Sequence, residues 1–145
     1  MELSCKSEYA LLALLELATK YNEGEPLQIR QIAAQQNIPD RYLEQLLATL
    51  RRGGLVKSQR GAKGGYLLAR EPWRITLLEV LGCLEGLDNC SSEDDTNPKT
   101  LESAVVEEIW QEARQAANLV LQKYTLQNLC EQLAAKRQVD IMYYI

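Results

Sequence analysis

The chain contains no histidine, and this narrows its chemistry at once. A Ser-His-Asp or Cys-His nucleophile is excluded, as is any imidazole metal site. Four cysteines remain: Cys5, Cys83, Cys90 and Cys130. None forms a C-x-x-C pair, so neither a zinc knuckle nor a thioredoxin-like redox pair is written here. In a reducing cytosol all four are expected as thiols. No phosphate-cradling Gly-lysine loop and no paired catalytic carboxylates stand out, and a non-enzyme is expected.

The side chains that do concentrate are basic. Residues 41–74 hold eight Lys/Arg (Arg41, Arg51, Arg52, Lys57, Arg60, Lys63, Arg70 and Arg74) against two acids, Glu44 and Glu71. Residues 75–145 hold five Lys/Arg against twelve Asp/Glu, a net of −7 within a chain whose total is −4. A basic segment beside an acidic remainder points to one face made for a polyanion.

That segment needs a scaffold, and the apolar pattern supplies one. Ser4 to Lys20 reads as a buried helix, with Leu11, Leu12, Leu14, Leu15 and Ala18 apolar on more than one side. A short helix follows over 28–35, with Ile29, Ile32 and Ala33 at i, i+3, i+4, and Asn37 stands where a tight turn calls for a left-handed residue. Pro39 and Asp40 open the next helix, backed by Leu43, Leu46, Leu47 and Leu50, which Gly53-Gly54 stops. Two strands, 55–60 and 65–70, flank a glycine-rich basic tip. Thr76-Leu77-Leu78-Glu79 is a capping box for a helix from Leu77 to about Gly86.

The polar stretch 88–99 reads as a loop, and the longest helical pattern runs from Leu101 to about Tyr124. Val106, Trp110, Ala113, Ala117, Val120 and Tyr124 repeat at 4, 3, 4, 3, 4, the spacing of a coiled-coil seam, while Leu101, Val105, Ile109 and Ala116 take another side. One face is expected to cover its own domain and the other a second subunit. Thr125 caps a last short helix through Leu133; the apolar tail 139–145 finds no place in this reading. The fold expected is mainly α with a small β-hairpin wing: a winged helix-turn-helix over 1–86, a sensor-region loop over 87–100, and a dimerisation helix with a C-terminal segment over 101–145.

Helix, short helix, turn, helix, basic hairpin is the order of a winged helix-turn-helix, whose third helix enters the major groove. With its leucines buried, that helix offers Arg41 for guanine, Gln45 for adenine and Glu44 for a cytosine amine, and Tyr42 for a phosphate. Arg51, Arg52 and Lys57 are assigned to the DNA backbone, and Arg60 and Lys63 to the wing, where glycines allow one arginine into a narrow minor groove. The alternative is a winged-helix protein-interaction module without DNA affinity. No apolar run approaches the roughly 20 residues of a membrane span, and the N-terminus lacks a signal-peptide layout, so a cytoplasmic protein without membrane partners is expected.

The stretches IPDRYLEQLLATL at 38–50, RRGGLV at 51–56, RGAKGGYLLAR at 60–70 and ITLLEVLGCLEG at 75–86 resemble the Rrf-type family of bacterial transcription regulators. That family includes an iron–sulfur cluster regulator, a nitric-oxide-sensing repressor and a cysteine-metabolism repressor. The resemblance implies a homodimer joined by the long helix on a partly palindromic double-stranded operator. It also implies that Arg60 enters the minor groove and that Arg41, Tyr42 and Glu44 contact DNA. Pro39 and Arg41 replace serines found in the cluster regulator.

Cluster-binding members carry three loop cysteines. Their positions fall here on Glu93, Lys99 and Val105, and the cluster regulator's histidine falls on Glu108. The usual motif is missing, so no cofactor is assigned, with an iron–sulfur cluster kept as an alternative that would draft Cys90 and Glu8, the latter at the place of a carboxylate supplied by the other subunit. Cys90 also reads as a lone redox switch or as an exposed loop cysteine without a role, its acidic neighbours disfavouring the thiolate. Control by a regulatory protein partner is the third route.

Overall fold

The computed structural model describes residues 4–62, 64–85 and 100–143. Helix α1 (Cys5–Thr19) starts where the Ser4 hydroxyl accepts the Ser7 amide at 3.1 Å. Its Ala10, Ala13, Leu14, Leu17 and Ala18 are buried, and it packs on every other helix of the winged unit. Helix α2 (Ile29–Gln36) opens with the Gln28 amide donating to Gln31 Oε1 at 2.9 Å and closes at Asn37, whose φ of 54° is the left-handed turn the sequence calls for. Helix α3 (Asp40–Arg52) follows Pro39.

Strands β1 (Val56–Gln59) and β2 (Gly65–Leu68) pair antiparallel, Val56 opposite Leu68 and Gln59 opposite Gly65. A third segment joins them: the Leu27 amide donates to the Tyr66 carbonyl at 3.0 Å, and the Tyr66 amide to that of Leu27 at 2.8 Å. The backbone carbonyl of Leu27 fills the space a β-carbon at position 65 would need, which is why Gly65 is glycine. Helix α4 (Leu77–Glu85) carries the expected capping box, the Glu79 amide reaching Thr76 Oγ1 at 3.2 Å and the Thr76 amide reaching Glu79 Oε2 at 3.4 Å.

Helices α5 (Leu101–Lys123) and α6 (Leu126–Tyr143) depart from expectation. The last helix is not short: it runs ten residues past Leu133, and residues 139–143 of the tail belong to it. Its start is stitched to the winged unit, since the Leu126 amide donates to the Ile75 carbonyl at 3.0 Å and the Leu77 amide to the Tyr124 carbonyl at 2.9 Å. Leu126 is fully buried with Leu14, Leu43, Leu47, Ile75 and Val80 in one core. The other departure is α5, which buries none of its side chains. The expected division into a domain-facing and a free apolar side does not hold, because Leu101, Val105 and Ile109 are as open as Val106 and Trp110. At 100° per residue the two sets merge into one apolar arc, and the side turned inward carries the partly covered Ala104, Glu107 and Leu121. A period count cannot tell two narrow stripes from one broad one.

Candidate nucleic-acid interface

Helix α3 has one face fixed by burial. Leu43, Leu46, Leu47 and Leu50 recur at i, i+3, i+4, i+7 and lie in the core. What remains outside is Arg41, Tyr42, Glu44 and Gln45, all exposed. Asp40 lies in the first turn and Arg51 and Arg52 in the last, each opposing the local end of the helix dipole.

Neighbouring elements brace this face. The Tyr42 ring meets Tyr9 of α1 edge-on, centroids 5.5 Å apart. Thr49 is buried; its hydroxyl donates to the Gln45 carbonyl at 3.0 Å and accepts from Arg52 at 3.4 Å. Arg51 donates to Ser58 Oγ on β1 at 3.3 Å, tying the end of α3 to the first strand of the wing. Lys57 is exposed on β1 and Arg60 is exposed just beyond its end. Gly61, with φ of 118°, makes the turn after Arg60 in a conformation few side chains tolerate. Lys63 lies outside the described residues.

Tyr9, Leu27 and Ser58 were not legible as site residues. Leu27 is one apolar residue between Pro26 and a helix, too short to show a strand period, and a hydroxyl reached by an arginine seven positions away leaves no local pattern. Proline at 26 ahead of a lone leucine was the sole hint of an edge segment.

The described cysteines lie on three different helices. Cys5 is exposed on α1; Cys83 on α4 and Cys130 on α6 are half-buried, and burial raises both thiols above the ordinary range, with the nearby Arg52 opposing this at Cys83 and Glu131 reinforcing it at Cys130. Glu8 is exposed one turn from Cys5. Cys90 and the loop positions 86–99 lie outside the described residues. Among the described residues no three Cys, Asp or Glu side chains gather closely enough to hold a metal ion. The described residues alone do not supply the four ligands, chiefly thiolates, that an iron–sulfur cluster takes. Among the described residues no helix is long and apolar enough to cross a membrane.

A leucine-backed helix with a polar outer face, braced by a second helix and tied to a β-wing, defines a winged helix-turn-helix. The family model Rrf2, described as an iron-dependent transcriptional regulator, matches residues 3–132. The chain is 38% identical to the HTH-type transcriptional regulator CymR of Bacillus subtilis over 99% of both chains. Among solved structures it is similar to IscR of T. potens, with a TM-score of 0.76 and 34% identity over 92% of this chain and 88% of that one. It is also similar to the structure of B. subtilis CymR, described as the global cysteine regulator, with a TM-score of 0.73 and 37% identity over 91% and 98% of the two chains. The protein belongs to the Rrf2 family and is a DNA-binding transcription regulator.

Proposed function

We propose that the chain acts as a homodimer that recognises a partly palindromic double-stranded operator. Arg41, Glu44 and Gln45 read base edges in the major groove, Tyr42 and the backbone-directed Arg51, Arg52 and Lys57 hold phosphates, Arg60 takes the adjacent minor groove, and Lys63 adds a DNA contact from the wing. The observation that carries the reading is the bond from Arg51 to Ser58, which sets the wing against the end of a helix whose outer face is polar. The dimer is supported by α5. Val106, Trp110 and Val120 are 66%, 55% and 53% exposed, and with Ala113, Ala117 and Tyr124 they form a seam that water would not leave uncovered. The division 1–86, 87–100 and 101–145 is one of function rather than packing, since Leu126 shares the winged unit's core.

Operator binding is set by a redox, iron–sulfur or partner signal, assigned to the loop with Cys90 and, across the dimer, Glu8; the match to a family model described as an iron-dependent transcriptional regulator supports regulation of this kind. The visible spectrum of anaerobically purified protein separates the routes, because sulfur-to-iron bands require a cluster.

The DNA reading is tested by selecting duplexes from a random pool and titrating the preferred one at rising salt. Affinity is expected to fall steeply with salt, in proportion to the phosphates neutralised, and Arg60→Ala to weaken the selected duplex about tenfold, the worth of one good groove contact, with the dimer intact. Salt-independent or absent binding would leave a protein-interaction module instead.

A further inference from the structure

Gly53 and Gly54 end the recognition helix for different reasons. Gly54 has φ of 79° and needs glycine for its backbone. Gly53 has φ of −77° and ψ of −2°, values open to any residue, and alanine is much the better helix former. What excludes a side chain there is Cys83 of α4: a β-carbon on residue 53 would overlap its sulfur, while the Cys83 β-carbon would stay at an ordinary 3.4 Å. The same sulfur donates to the Thr49 carbonyl at 3.5 Å. Thr49 in turn receives Arg52 on its hydroxyl.

We propose that Cys83 is a positioning residue for DNA binding: its sulfur occupies the gap left by Gly53 and holds the last turn of α3 so that Arg52 faces the phosphate backbone. This rests on the DNA-contact reading above. A methyl at 53 forces one of two changes. Either the sulfur leaves its rotamer and gives up the Thr49 carbonyl, or α4 and the end of α3 move apart; both release Arg52.

The test uses the full chain, with Gly53→Ala, Cys83→Ala and the double variant, titrated against the selected duplex at several salt concentrations. Gly53→Ala is expected to weaken binding about tenfold through overpacking and to reduce the slope of log affinity against log salt by about one phosphate contact. Cys83→Ala alone, which empties the gap, is expected to weaken binding several-fold, and in the double variant the two losses are expected not to add, because the new methyl takes the space of the lost sulfur. In an Arg52→Ala background Gly53→Ala should cost no further affinity. A purely structural role would lower the melting temperature without changing the salt slope, and that result overturns the proposal. So does a folded Gly53→Ala protein of wild-type affinity. If Gly53→Ala fails to fold, the double variant must fold and bind, because failure there means Cys83 is not the obstruction. Arg60→Ala separates the two claims. If it weakens binding while the position-53 variants do not, only the Cys83 assignment falls; if wild type binds no duplex, both fall.

Discussion

Helices α3 and α5 are both amphipathic, and they resolve their apolar faces in opposite ways. In α3 the stripe Leu43, Leu46, Leu47 and Leu50 is at most 3% exposed, satisfied by α1, α2 and α4 of the same chain. In α5 Leu101, Val105, Ile109 and Leu119 stay as open to solvent as the seam from Val106 to Tyr124. Burial inside the chain frees the opposite face of α3 for charged side chains aimed at a ligand. An apolar arc left outside is instead the surface that the proposed dimer would cover, since burying such surface is the main favourable term in association. One helix is shaped by the fold it belongs to, and the other carries the surface on which the proposed dimer rests.

The contrast breaks most visibly on α5. Trp110→Asp is expected to convert the dimer to a monomer in analytical ultracentrifugation and to weaken operator binding about a hundredfold or more, because two linked half-sites lose their effective concentration. Its far-UV circular dichroism should stay close to wild type, as Trp110 supports no core. A dimer that survives this change would assign the interface elsewhere.

The α3 face should answer in the other direction. Leu47→Ala, at a fully buried position, is expected to cost about 2–5 kcal/mol in chemical denaturation by leaving a cavity, while the residual folded protein keeps its dimer. A cost near zero would mean that α3 is not seated as described.

The smallest effect is a titration. Burial favours the neutral thiols of Cys83 and Cys130, so the folded state holds those protons to higher pH than the unfolded chain. Their contribution is intact at neutral pH and is lost as pH rises beyond the ordinary thiol range. Melting temperature should decline there, and less so in a Cys83→Ser/Cys130→Ser protein; Cys5→Ser, at an exposed site, serves as the control. Equal declines in all three proteins would remove the role given to burial.

Much of the winged unit was readable from local chemistry. The leucine spacing in α3, the Thr76–Glu79 box, the left-handed Asn37 and the Thr125 cap each depend on residues within four positions of one another, and each stands in the structure. The Leu27 bridge, the Tyr9–Tyr42 contact, the Arg51–Ser58 bond and the Gly53–Cys83 contact join residues from different elements. The length of α6 was missed for a related reason: its mixed polar and apolar order past Leu133 shows no helical stripe to extend.

The order of residues alone decided where the helices of the winged unit begin and which stretch is basic, because caps, periods and charge are properties of neighbours in the chain. Only the folded arrangement decided that the last helix anchors Leu126 in the shared core, that α5 presents one broad apolar arc outward, and that a sulfur on α4 sits where a side chain on residue 53 would be. Those outcomes depend on which surfaces meet across long sequence separations, and that is set by the packing of the whole core.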